Sequence, residues 1–114
     1  MCLNPSEVVK LAAKLADDMR AEDIVVLDMK DVTLIADYFM ICTGTSGIHT
    51  KSIGSNVEKG LKEAGLIPKH KGGYDDGAWI LLDLGSVVIH IFQHDTRLYY
   101  NLERLWGDAR RISI

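Results

Sequence analysis

Gly44-Thr45-Ser46-Gly47 is the stretch of this 114-residue chain best suited to hold a charged ligand. It follows an apolar run and opens a helical pattern, so backbone N–H groups converge there and could cradle an anion. The turn lacks the lysine of a P-loop and the glycine spacing of a dinucleotide fingerprint. Thr45 or Ser46 would also serve there as a plain helix cap. A nucleotide-binding or nucleotidyl-transferring enzyme built on this turn is one reading of the chain. Such chemistry needs two or three carboxylates on neighbouring strands to hold a divalent metal. The candidate strands offer Asp83, at a turn, while Asp28 and Asp37 stand apart and the run Val87 to Phe92 has no acid.

The other reactive side chains are no better grouped. His90 and His94 are four apart but straddle a strand-to-helix junction, so helical ligand spacing does not apply. His90 reads as a packed residue with one satisfied nitrogen, facing Trp79. Asp75-Asp76 reads as a solvated loop, or as an acidic rim beside Trp79. No serine or cysteine has a local nucleophile signature. Cys42 lies in an apolar run and reads as a buried free thiol, and Cys2 stands at the terminus, which together fit a reducing cytoplasm. No catalytic residue, metal or cofactor is expected.

Composition narrows the classes further. Hydrophobic residues at 47% and charged residues at 25% describe a soluble domain able to bury a core without disulfides or metals. A net charge of −3 argues against a broad nucleic-acid footprint and leaves a basic protein partner open. No secretory or membrane-spanning segment is evident. One domain covering residues 1–114 is expected, with 109–114 as a tail.

The elements that must position these residues follow from periodicity. Asn4-Pro5 starts a helix running to about Arg20, with Asn4 as cap and Pro5 in the first turn. Ile24 to Met29 and Tyr38 to Thr43 are apolar strands, and the residues between them a connection. A helix follows the Gly44 turn, with Ile53, Val57, Leu61 and Ala64 as its apolar stripe. Gly54 and Gly60 inside it point to close packing. Leu66 to Gly73 allows a short edge strand, guarded by Pro68, Lys69 and Lys71. Gln93 to Thr96 begins a last helix through about Leu105, with Leu98, Leu102 and Leu105 on one face. The result is a compact α/β domain with a mixed sheet of about five strands flanked by helices.

Between these lies a hairpin, Trp79 to Phe92, with Asp83 and Gly85-Ser86 as its turn. Pairing Leu82 with Val87 sets Ile80 against Ile89, and Trp79 and Leu81 against His90 and Val88. Both faces are then apolar, whereas a half-exposed hairpin alternates. One helix covers about two strands, so three helices leave apolar sheet surface bare. Trp79 is either core or an interface anchor, and Tyr74, Tyr99, Tyr100 and Arg97 nearby favour the anchor. On these grounds a protein-binding module is preferred to an enzyme.

Several motifs in order make the chain resemble a known family. They are Ala36-Asp37-Tyr38-Phe39, then Thr43-Gly44-Thr45-Ser46, then Trp79-Ile80-Leu81-Leu82-Asp83 with Gly85 and Val87-Val88-Ile89-His90. Arg97 and Tyr100, Leu102-Glu103-Arg104-Leu105-Trp106 and Asp108-Ala109 complete the set. Together they resemble the ribosomal silencing factors, also called Iojap or RsfS, over Leu11 to Ala109. The resemblance implies a nucleotidyltransferase-like fold without its catalysis. It implies binding to the large ribosomal subunit through ribosomal protein L-fourteen, a steric block to joining of the small subunit, and lowered translation when nutrients are scarce. It also implies a homodimer when free, while the absence of a membrane span and the net charge of −3 point to no membrane association and no extensive nucleic-acid contact. Carried over by position, the partner-binding residues are Trp79, Leu81, Asp83, Arg97 and Tyr100, with Tyr99 secondary. Ile48, where the family often has a basic residue, and Lys69-His70-Lys71, where relatives are often more acidic, depart from the pattern.

Overall fold

The computed structural model describes residues 3–112. Helix α1 (Pro5–Asp17) begins at the expected cap: Asn4 accepts from the Glu7 N–H at 2.9 Å, and Glu7 accepts in return from the Asn4 N–H at 3.1 Å. It ends three residues short of the expected Arg20, which adopts a left-handed φ of 61° in the turn to the sheet. Strands β1 (Glu22–Asp28) and β2 (Tyr38–Gly44) follow, then helix α2 (Gly47–Glu63). The edge strand is β3 (His70–Gly72), and the hairpin is β4 (Trp79–Asp83) with β5 (Val87–Gln93). Helices α3 (His94–Tyr100) and α4 (Leu102–Leu105) and strand β6 (Arg110–Ile112) complete the chain.

The sheet is mixed and open, in the order β3-β4-β5-β2-β1-β6. Its two central strands, β2 and β5, run parallel, and the other pairs are antiparallel. Both are buried on both faces, which is why they read as continuous apolar runs. The α2 crossover joins β2 to the β3–β5 half of the sheet. Helices α1 and α2 cover one face, where Val9, Ala12, Ile53, Val57 and Leu61 meet Met40, Cys42, Ile80, Leu82, Ile89 and Ile91. A side chain at Gly54 would come within 2.6 Å of the Tyr74 hydroxyl, and one at Gly60 within 2.4 Å of Leu15. The two helix glycines thus mark close packing.

Three expectations are corrected. The sheet has six strands, because part of the expected tail is β6, antiparallel to Val26–Asp28. That strand is three residues long and mostly polar, and pairing with an open edge holds it. The hairpin closes tighter than expected: Leu84 N–H donates to the Val87 carbonyl across a two-residue Gly85-Ser86 turn, with Gly85 at φ 89°. Leu82 therefore pairs with Ile89, two residues from the expected register, and a shift of two leaves every side chain on its expected face. The last helix breaks at Asn101, which takes the left-handed conformation tolerated by asparagine and caps α4 through its side chain. Leu98 and Leu105 are consequently exposed while Leu102 packs on the sheet. Cys2 lies outside the described residues. No helix among the described residues is long and apolar enough to cross a membrane.

Candidate functional site

The second face of the sheet is unevenly covered. Over β1 and β2 lie the connection from Met29 to Asp37, helix α4 and Trp106, which meets Phe39 edge-on at 6.2 Å. That cover stops before β4. Along β4 the alternation is complete: Ile80 and Leu82 are fully buried under the helices, and Trp79, Leu81 and Asp83 are only partly buried on the other side. The Trp79 ring lies 4.9 Å from Phe92 and 4.7 Å from Tyr100, which α3 brings back over the strand end. Tyr100 is 50% exposed, and Tyr99, edge-on to it at 5.0 Å, is 80% exposed. The patch is an aromatic and aliphatic stripe that ends on a carboxylate.

Two residues fix its geometry. His90, on β5 opposite Leu81, accepts from the Trp79 indole N–H at 3.2 Å and stacks edge-on with Phe39 at 4.8 Å. It is the packed residue with one satisfied nitrogen that the sequence predicts. Burial pushes its pKa down to about 4, against a smaller opposing pull from Asp83. Asp83 accepts from the Gly85 N–H at 2.8 Å, so the turn holds its carboxylate on the exposed face.

Of the five predicted site residues, Trp79, Leu81, Asp83 and Tyr100 share this patch. Arg97 does not. Its side chain is only 11% exposed and turns toward β1 and β2. It donates at 2.8 Å each to Glu103, to the Thr43 hydroxyl and to the Asp23 carbonyl. The hydrogen bond from Arg97 holds the Glu103 carboxyl below its usual range, and Arg111 adds to it at 3.3 Å. Arg97 thus ties α3 and α4 to the sheet and sets the position of Tyr100. Leu34 and Ile35, read from the sequence as a mere connection, are fully and largely exposed at its tip. The end of that connection adjoins the hairpin turn, where Asp37 N–H donates to the Ser86 carbonyl. Two adjacent aliphatics in a loop were the signal for them.

The Gly44–Gly47 turn is occupied by the chain itself. Ser46 caps α2 through the His49 N–H, and the Thr45 N–H donates to His49 Nδ1 at 2.8 Å. With Nδ1 accepting, Nε2 carries the hydrogen and donates to the Met19 carbonyl at 2.8 Å. The loop before β4 closes over the turn: Thr50 donates to the Gly77 carbonyl at 2.6 Å, and a side chain at Gly47 would meet the Asp76 carbonyl at 2.5 Å. The Thr45 and His49 donors and the space beside Gly47 are thus taken up by the chain's own groups. Among the described residues no three His, Cys, Asp or Glu side chains gather as metal ligands do. The Cys42 thiol is buried, with a pKa pushed up to about 12, and is a poor nucleophile.

Comparison with known proteins bears on the family and the fold. Residues 3–114 match the family model described as "Ribosomal silencing factor during starvation". A relative from Bacillus subtilis named ribosomal silencing factor RsfS is 47% identical over 107 residues, spanning 94% of this chain and 91% of that protein. A chloroplastic protein Iojap from Arabidopsis thaliana is 37% identical over 102 residues, spanning 90% of this chain and 42% of that protein. A crystal structure from Chromobacterium violaceum superposes with a TM-score of 0.90 at 33% identity, covering 98% of this chain and 92% of that one.

Proposed function

This chain belongs to the ribosomal silencing factor family, and from that premise we propose that it binds the large ribosomal subunit through ribosomal protein L-fourteen. Bound there, it occupies the surface the small subunit needs, so the subunits fail to join and translation falls when nutrients are scarce. It carries out no catalysis and acts in the cytoplasm. The observation that carries this reading is the thinly covered half of the sheet face, where the partly buried Trp79, Leu81 and Asp83 lie together with Tyr100. A large aromatic anchored between other aromatics and rimmed by polar groups is the usual centre of a binding hot spot. The net charge of −3 favours approach to a basic partner. Arg97 acts from behind, by holding the helix that presents Tyr100.

Co-sedimentation with purified large subunits tests the surface. Trp79→Ala and Leu81→Ala should each weaken binding, by roughly thirtyfold or more for Trp79. Binding undiminished in both variants would remove this face from the account. The same bare face also suits a second copy of the chain, so a free homodimer should compete with ribosome binding. A dimer mass that persists in Trp79→Ala would argue against that shared use.

A further inference from the structure

Charge is unevenly distributed along this chain. Residues 47–72, which span α2 and β3, hold five lysines against two glutamates, a net +3, so the rest of the chain carries −6. Folding gathers four of these lysines on the outer side of α2, across the sheet from Trp79 and Leu81. An open groove of about 450 Å³ is lined there by Ser55, Glu58, Lys59, Lys62, Lys71 and Tyr74. A second, of about 510 Å³, shares Ser55 and Lys59 with it and runs on past Ser52 to Lys51. Glu58 ties the helix to the edge strand, accepting from Lys71 at 2.8 Å and from the Tyr74 hydroxyl at 3.3 Å. It is the one acid lining either groove among the described residues, and Lys71 neutralises it. Lys59 and Lys62 are exposed and form no ion pair among the described residues. Lys51 donates only to the neutral Asp75 carbonyl. Three positive charges therefore stand uncompensated along a helix stretch of about 16 Å. Lys59 and Lys62, three apart on the helix, also repel each other, a small cost that an anion in the groove would remove.

We propose that this groove is a sequence-independent RNA-binding surface, in which Lys51, Lys59 and Lys62 hold phosphates of a single strand. The inference does not rest on the docking reading. Chemistry selects the partner. Every Lys or Arg in the segment is a lysine, a point charge that meets a phosphate without fixing its angle, and the arginine forks that match carboxylates are missing. The Ser55 hydroxyl, common to both grooves, is the kind of donor that phosphate and sugar oxygens take. Tyr74 is the single aromatic lining them among the described residues, and its hydroxyl is engaged by Glu58, so the contact reads charge and not base identity. The surface is concave and receives a strand, whereas a flat lipid surface would leave its floor empty. Three phosphates make a local contact, not the broad footprint that a net charge of −3 argues against. Because the groove and the open sheet face lie on opposite sides, one chain can hold RNA and a protein together.

Fluorescence anisotropy with a labelled oligouridylate of about twelve nucleotides tests the groove. Wild type should bind with a Kd of roughly 1–100 μM at about 50 mM salt, and log K should fall against log salt with a slope of about −2, as three phosphates require. A variant carrying Lys59→Gln and Lys62→Gln should bind at least about fivefold more weakly, with a slope of about −0.7. A variant carrying Lys10→Gln and Lys14→Gln, the same loss of charge on α1, should stay within about twofold of wild type. All four side chains are exposed, so both variants should keep the thermal midpoint of wild type. No binding by wild type at low salt, or an α1 variant that falls as far as the α2 variant, overturns the proposal. Polyglutamate that displaces the RNA at equal charge concentration makes the groove a site for an acidic protein and overturns it. Phosphatidylglycerol vesicles that capture wild type better than the RNA does make it a lipid site, with the same consequence.

Discussion

The two faces of strand β4 differ by one residue in sequence and by almost everything in environment. Ile80 and Leu82 are sealed under α2, while Trp79, Leu81 and Asp83 look out from a face whose cover ends one strand away. Both sets are apolar enough for a core, so hydrophobicity alone does not separate structure from function here. Coverage does. The chain has helices enough for one full face and half of the other, and the uncovered half keeps its aromatics.

The comparison breaks most sharply at Leu82. Leu82→Ala should destabilise the fold by about 2–5 kcal/mol, through lost transfer energy and a cavity under α2. Leu81→Ala, its neighbour on the open face, should cost under about 1 kcal/mol and leave the thermal midpoint nearly in place. Chemical denaturation of the pair checks both. Equal losses would mean that the open face is core.

Next in size is acid sensitivity carried by the open face. His90 has its pKa pushed from 6.5 to about 4, so folding favours the neutral ring. Its contribution is complete above pH 6.5, declines as pH falls through the interval to 4, and totals about 3 kcal/mol over that window. Protonation would also put two donors face to face, the indole N–H of Trp79 and the charged ring. Stability measured from pH 7 to 4 should show this slope in wild type and lose it in His90→Asn.

Arg97→Met should cost about 2 kcal/mol, because it leaves the Glu103 carboxylate and the Thr43 hydroxyl without their shared donor. The folded Glu103 titrates below its usual 4.5, so the pair's contribution is present above that value and lost as pH falls through the lower folded one. Denaturation at pH 7 and pH 3 should therefore show a difference between wild type and Arg97→Met that shrinks in acid. Ribosome binding by the variant should weaken only as far as Tyr100 is displaced.

Much of this was readable from residue patterns. The apolar runs of β2 and β5, the Asn4 cap and the face assignment of the hairpin all follow from local chemistry that tertiary contacts reinforce. The face assignment survived a two-residue error in register because the side-chain period of a strand is two. Strand β6 was not legible, since three mostly polar residues form a strand only when an open edge is offered. The break at Asn101 was hidden because a single left-handed residue interrupts helical spacing without changing composition. The patch itself was half legible. Trp79, Leu81, Asp83 and Tyr100 fall together, but Arg97 resembles a surface cation until the positions of Glu103 and Thr43 show that it faces inward.

The central claim is that the bare half-face keeps the ribosomal subunits apart. It is tested most directly by a subunit-joining assay, in which purified large and small subunits associate with wild-type protein or with Trp79→Ala. Wild type should suppress formation of the joined ribosome in a dose-dependent way, and a folded Trp79→Ala should need roughly thirtyfold more protein for the same effect. Suppression by Trp79→Ala at the wild-type dose, or no suppression by wild type, would contradict the account.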